Sequence, residues 1–272
     1  LTDVTGVQTC ALPICILRNS GLQPEYEPVV TPDYRSRVTV LGEDGSYVAP
    51  EELGLLFRPI VLQVSRWDRL KGWDPLLEGF IRLKKRTIEN NGTSKTRRKQ
   101  NRLRLSRLVL AGPDPRAIAD DPEGIQVLSQ IRERYMSLDP GLRSDISIIL
   151  LPMESHKENA LIVNALQRCA HVIVQNSLQE GFGLSVTEAM WKRKAVLGTH
   201  ACGIRQQIRD GRDGLLVSKP EDPDEIADKL SQLLNNSVAC YNMGRSAQRR
   251  VYDEFLIFRQ ISGYLRLLGS IV

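Results

Sequence analysis

Short apolar runs alternate with longer amphipathic stretches along most of this chain. Pro59-Ile-Val-Leu-Gln-Val-Ser65, Leu108-Val-Leu-Ala-Gly112, Asp145-Ile-Ser-Ile-Ile-Leu-Leu151, His171-Val-Ile-Val-Gln-Asn-Ser177, Ala195 to Thr199 and Gly214 to Ser218 have the length and apolarity of buried strands. Between them lie helical patterns. Asp74-Pro75 opens one with Leu76, Leu77, Phe80, Ile81 and Leu83 on a broad face, Asp74 being the expected N-cap and Pro75 the first helical position. Asp121-Pro-Glu-Gly124 opens another that runs to about Tyr135. Glu158 to Ala170 follows, burying Ala160, Leu161, Val163, Asn164 or Ala165, and Leu166; then comes Gly183 to Arg193. Asp222-Pro-Asp-Glu225 places acidic residues in a first turn and Leu230, Leu233 and Leu234 on the inner side. Residues 238–268 read as one or more helices across the domain edge. This alternation predicts an α/β fold, a parallel sheet with helices on both faces and ligands at the C-terminal ends of its strands.

The pattern divides the chain into unequal parts. Residues 1–18 read as neither a capped helix nor an alternating strand, begin without methionine and closely resemble a translated sequencing-adaptor scar. They are expected to be a non-native leader. Residues 19–58 carry prolines at 24, 28, 32 and 50 and glycines at 42, 45 and 54, the punctuation of a linker or of a remnant of a preceding domain. Residues 59–272 form the expected domain, interrupted at 84–107 by a strongly basic, almost wholly polar segment. Lacking interleaved aromatics, that segment reads as a solvated insertion rather than a nucleic-acid surface.

Composition narrows the function classes. The 272 residues are 42% hydrophobic and carry 37 Lys+Arg against 32 Asp+Glu, a net charge of +5 that suits anionic ligands without implying nucleic acid. Five cysteines, at 10, 15, 169, 202 and 240, form no CxxC and no zinc spacing, and Cys169 and Cys202 sit in apolar surroundings. A reduced, cytoplasmic chain is expected. No run of about 20 apolar residues predicts a membrane span.

Two constellations carry candidate chemistry. In Val64-Ser-Arg-Trp-Asp-Arg-Leu-Lys-Gly72, Arg66 and Lys71 follow a strand on one loop and can converge on one anion, Arg as a planar fork and Lys as a mobile point charge. In Glu180-Gly-Phe-Gly-Leu-Ser-Val-Thr-Glu188, Gly181 and Gly183 permit tight backbone geometry, and the first amides of the Leu184 helix can face an anion or a sugar oxygen. Were the ligand a sugar nucleotide, the two cations would stabilise the departing diphosphate, Glu180 would accept from sugar hydroxyls and Glu188 from the ribose pair. Two carboxylates flanking a glycosidic bond would instead make a hydrolase, which leaves Arg66 and Lys71 without a task. His156 reads as an exposed loop residue, His171 as structural at the head of a strand, and His200 lies at the ligand edge. None belongs to a metal cluster.

Glu180-x7-Glu188 with Gly-Phe-Gly-Leu between, together with Arg66 and Lys71, resembles the C-terminal nucleotide-sugar-binding half of retaining GT-B glycosyltransferases of family 4, over residues 59–268. Leu62 to Gly72, Leu110-Ala-Gly-Pro113, Asp121-Pro-Glu-Gly124, Glu158-Asn-Ala160, Val163 to Arg168 and Glu188-Ala-Met-Trp191 are similar to the trehalose synthase and trehalose phosphorylase branch. The resemblance implies a Rossmann-like donor-binding domain in which Arg66 and Lys71 hold the diphosphate and Glu180 and Glu188 contact donor sugar and ribose, with Gly181, Phe182, Gly183 and Leu184 completing the binding loop. It implies catalysis by Arg66, Lys71 and Glu180 through front-face displacement, with no required metal or cofactor; Mg²⁺ would at most accompany the diphosphate. The donor would be a nucleoside-diphosphate glucose and the acceptor glucose or a related sugar. A phosphorylase using inorganic phosphate is the alternative. The acceptor half would lie outside these residues, so the isolated chain is expected to be inactive, a nucleotide-binding fragment; a homo-oligomer is compatible with the pattern. One departure stands at Ala201-Cys-Gly-Ile-Arg205, where relatives commonly have Gly-Gly-Ile-Pro: Gly203 and Ile204 are kept, one glycine and the proline are lost.

Overall fold

The structure, a computed structural model, describes residues 16–17, 20, 22, 35–50, 53, 55–89, 97–118 and 120–270. Eight strands form one sheet in the order β2-β1-β5-β4-β3-β6-β7-β8. They are β1 (Thr39–Leu41), β2 (Tyr47–Val48), β3 (Ile60–Val64), β4 (Arg107–Pro113), β5 (Ile146–Leu151), β6 (Val172–Val174), β7 (Ala195–Thr199) and β8 (Gly214–Val217). β3 to β8 are parallel; β1 runs antiparallel to both β2 and β5. The chain winds from β3 outward through β4 to β5, then returns to place β6 on the other side of β3, with Val61 beside Val172. This reversal makes β3/β6 the switch point, the place where open α/β sheets leave a crevice beyond their carboxyl ends.

The strands are apolar on both faces because helices cover both. Val61, Leu108, Leu110, Ile146 and Ile148 belong to one core with Leu76, Leu77 and Phe80 of α1 (Trp73–Glu89), Val127 and Ile131 of α3 (Pro122–Met136), and Leu230 and Leu233 of α8 (Pro223–Asn235). Ile60, Leu62, Val109 and Ile149, one residue out of phase, meet Ile162 and Leu166 of α5 (His156–Cys169), Val186 and Met190 of α6 (Leu184–Trp191), and Ala247 and Val251 of α9 (Ser237–Glu254). Asp121 and Asp222 cap α3 and α8 with a proline in the first turn of each, as their sequences imply. Three short helices, α2 (Arg97–Leu105), α4 (Pro140–Arg143) and α7 (Cys202–Gln207), and the terminal α10 (Ile257–Gly269) complete the order.

Three expectations change, and the expected leader lies mostly outside the described residues. The stretch read as a linker supplies β1 and β2, and Val38, Val40, Leu53 and Leu55 join the second core, so the sheet begins before residue 59 and is mixed. Only Ile16 and Leu17 of the expected leader are described, and both are buried in that same core. The basic segment 84–107 is not uniformly solvated. Lys84 is 3% exposed, its ammonium donating to the carbonyls of Leu103, Arg104 and Ser106 and pairing with Asp145, and so it holds the end of α2. Finally, α1 starts at Trp73, which places Asp74 inside the first turn rather than at the cap.

Candidate functional site

The cationic loop is shaped by its tryptophans. Trp67 is buried beside Trp73, ring centroids 4.6 Å apart, and donates through its indole to the Pro113 carbonyl at 2.8 Å. Trp73 in turn donates to the Arg66 carbonyl at 3.1 Å, fixing the backbone on the other side. With Trp67 turned inward, Arg66 faces solvent, its side chain 72% exposed and 3.5 Å from the Asp68 carboxylate. Asp68 also accepts from the Leu70 amide and so caps a single 3-10 turn at Arg69–Lys71, which Gly72 ends in the left-handed region. That turn delivers Lys71. A Cβ at Gly72 would stand 2.2 Å from the Asn176 carbonyl oxygen, so glycine is required here by φ and by packing together.

The Lys71 ammonium lies 2.8 Å from Glu180, the two side chains only 15% and 17% exposed. Thus the two constellations meet: one follows β3, the other β6, and their charged ends touch across the switch point. Ser177 donates to the same carboxylate oxygen at 3.3 Å, and the Leu178 amide donates to the Leu70 carbonyl at 2.7 Å. Gly183, at φ +85, precedes α6 without a side-chain cap, which leaves the Leu184 and Ser185 amides free of one. Phe182 and Leu184 are exposed beside it. Gly181 has an ordinary φ, and a Cβ there would meet nothing within 4 Å of the chain itself. Glu188 sits apart on the exposed face of α6, 3.5 Å from the Gln167 amide nitrogen. No hydrogen bond joins it to Glu180. Burial lowers the neighbouring Lys192 ammonium from its usual range, an effect that the Glu188 charge opposes.

A set of buried amides and hydroxyls beneath these loops went unread in the sequence. Gln63, fully buried in β3, donates to the Lys71 carbonyl at 2.8 Å and accepts from the Asn176 amide at 2.9 Å. Asn176 donates to the carbonyls of Gly72 and Pro220. Gln175 donates to Ser65 and Ser177 and accepts from Ser185 at 2.7 Å. Thr199 holds the Ser177 carbonyl at 2.6 Å, and Gln207 holds that of Phe182. Buried amides that find partners rigidify what they join, and here, with only the Gln207 Oε1 unpaired among those named, they join the ends of β3, β6 and β7. The signal was present: polar residues closing apolar runs, Gln63 in Ile-Val-Leu-Gln-Val and Gln175-Asn-Ser177 after Val-Ile-Val.

The loop at residues 201–205 packs against the 180–184 segment. The Gly203 amide donates to the Glu180 carbonyl at 3.0 Å, and a Cβ at 203 would lie 2.5 Å from the Gly181 oxygen. Cys202 is exposed at the start of α7, a correction to its expected burial, while Cys169 and Cys240 are half-buried. His156 and His200 are exposed at this edge, and His171 is at the opposite one. A cavity of about 480 Å³ opens beside the 3-10 turn, lined by Arg69, Trp73, Asp74, Gln130 and Glu221 among others; neither Glu180 nor Glu188 lines it. Among the described residues no group of three or more His, Cys, Asp or Glu is arranged to hold a metal, and no helix is long and apolar enough to cross a membrane.

The family described as glycosyl transferases group 1 matches residues 151–250, from the end of β5 into α9. Trehalose synthase of Thermococcus litoralis is 34% identical over 217 residues, which is 78% of this chain and 44% of that protein. The chain is related to the GT-B glycosyltransferases of the trehalose synthase and trehalose phosphorylase branch. A trehalose phosphorylase of Grifola frondosa is 28% identical over 75% of this chain and 25% of its own length. In fold, this GT-B chain matches sucrose-phosphate synthase of Thermosynechococcus elongatus with a TM-score of 0.55 at 22% identity, covering 80% of this chain and 47% of that one. The architecture is that of a GT-B C-terminal domain, and the chain spans between a quarter and about half the length of the curated relatives it matches.

Proposed function

We propose that the chain is the donor-binding part of a retaining glucosyltransferase of family 4, transferring glucose from a nucleoside-diphosphate glucose to glucose or a related sugar and forming trehalose or a similar glycoside. The carrying observation is the Lys71–Glu180 pair at the β3/β6 switch point. Half-buried and supported by Gln63 and Ser177, Lys71 remains a fixed cation at the mouth of the crevice. In this reading it and Arg66 hold the diphosphate and offset the charge that develops as the glycosyl bond breaks. The Leu184 and Ser185 amides add donors at a helix N-terminus. Glu180, already turned by Lys71 and Ser177, accepts from hydroxyls of the transferred sugar, and Glu188 from the ribose pair. The acceptor hydroxyl then attacks from the face that the diphosphate leaves, its proton passing to the departing phosphate oxygen. No side-chain base is needed.

The acceptor site is assigned to sequence beyond these residues, in an N-terminal half, and the isolated chain is proposed to bind donor without turnover. Calorimetric titration with UDP, ADP and GDP tests the reading: saturable binding of one of them supports it, and absence of binding to folded protein at millimolar nucleotide sinks it. The similarity to a trehalose phosphorylase favours a second reading, in which inorganic phosphate attacks trehalose. Assay of the complete gene product with phosphate and trehalose against a sugar nucleotide and glucose separates the two.

A further inference from the structure

The opposite edge of the sheet carries a second concentration of positive charge. At the N-terminal ends of β6 and β7 a cavity of about 370 Å³ is lined by Arg102 of α2, Arg168 at the end of α5, His171, Lys194 and Ser237 at the start of α9; no carboxylate lines it. Among the described residues Arg102, Arg168 and Lys194 enter no ion pair. Lys194 spends one proton on the Arg168 carbonyl, at 2.5 Å, and keeps two. Burial, then the Arg168 charge, lowers its ammonium from the usual range, and the Cys169 and Cys240 thiols are pushed up by burial. Unpaired cations gathered in one concavity repel one another, and an anion relieves that repulsion.

Two further features point the same way. α9 is 18 residues long; Asn236 caps the Ala239 amide and its carbonyl takes Cys240, so the Ser237 and Val238 amides are left without a partner in the helix. His171, exposed overall, accepts from the Ile60 amide through Nδ1 at 3.2 Å, and desolvation of its packed side, with Arg102 and Lys194 adding to it, lowers its imidazole to about 4. Arg102 and Lys194 push it in the direction that a positive potential in the cavity would.

We propose that this rear cavity binds a small phosphate-type dianion through Arg102, Arg168, Lys194 and the first amides of α9. The volume leaves room for an organic body, so inorganic phosphate and a sugar phosphate monoester share the chemistry the site selects. The inference stands apart from the reading of the front edge.

Calorimetry at neutral pH and constant ionic strength, with inorganic phosphate and with glucose 6-phosphate, tests it. Saturable binding is expected, weakened about tenfold by Arg102→Ala or by Arg168→Gln, each of which removes a charge-assisted contact. Arg259→Ala, on α10 and outside the cavity lining, is expected to leave it unchanged. Tighter binding of the ester identifies a monoester as the occupant; equal binding identifies inorganic phosphate. In proton NMR the bound dianion raises the His171 midpoint by about one pH unit, as an opposite charge nearby does. Chloride at matched ionic strength producing the same shift, or binding that both folded rear variants retain in full, overturns the proposal.

Discussion

The two edges of the sheet treat cations in opposite ways. At the front, Lys71 and Arg66 each have a carboxylate beside them, Glu180 and Asp68, and the loops that carry them are tied by buried amides. At the rear, Arg102, Arg168 and Lys194 face a cavity with no carboxylate in its lining. Pairing holds a half-buried cation aimed before any ligand arrives. Leaving cations unpaired stores repulsion that only a ligand or solvent relieves. A paired cation must therefore share its charge with an incoming anion, and Glu180 is freed to turn to other hydrogen-bond donors when it does.

Several substitutions press on that contrast. Gly72→Ala is expected to do most damage, because a Cβ 2.2 Å from the Asn176 oxygen at φ +60 separates the two front loops. Denaturant unfolding should show a loss of about 3 kcal/mol, with nucleotide binding reduced at temperatures where the protein is still folded. Lys71→Ala leaves Glu180 half-buried without its cation, and diphosphate affinity should fall about 30-fold or more by calorimetry. Arg66→Ala acts on an exposed side chain and should cost about fivefold, more for diphosphate than for nucleoside. Equal losses for both ligands would mean that the fold, not the anion contact, had been damaged.

The rear edge makes a prediction in pH. The His171 midpoint, held at about 4, lies below the ordinary value of 6.5. The unfolded chain therefore takes up a proton first as pH falls, and the stability associated with the neutral ring is lost between 6.5 and 4. His171→Gln should flatten that part of the stability curve in phosphate-free buffer. An unchanged slope would show that the ring is not held below its ordinary midpoint in the folded protein.

What the sequence disclosed and what it concealed follow from physical scale. Strands β3 to β8 and the caps at Asp121 and Asp222 were legible because buried parallel strands are continuous apolar runs and caps are local. Ser155, three residues before the expected start at Glu158, caps α5 and was passed over. β1 and β2, three and two residues long, were hidden among prolines and glycines; Arg37-Val-Thr-Val-Leu41 carries the alternation that would have found them. Lys84 could not be read at all, since burying an ammonium against three carbonyls is a tertiary event with no periodic trace. At the candidate site, Arg66, Lys71 and Glu180 were legible by type and spacing. Gln63, Gln175 and Asn176 stood out as polar residues within and after apolar runs, but their pairing did not, because it depends on which strand lies beside β3.

The central claim is that the Lys71–Glu180 pair marks a diphosphate site at the switch point. Parallel calorimetric titrations of the wild type and Lys71→Ala, each with a nucleoside diphosphate and with its nucleoside, test it most directly. The account predicts that Lys71→Ala loses diphosphate affinity while nucleoside affinity is little changed. Diphosphate binding undiminished in a folded Lys71→Ala protein would contradict it.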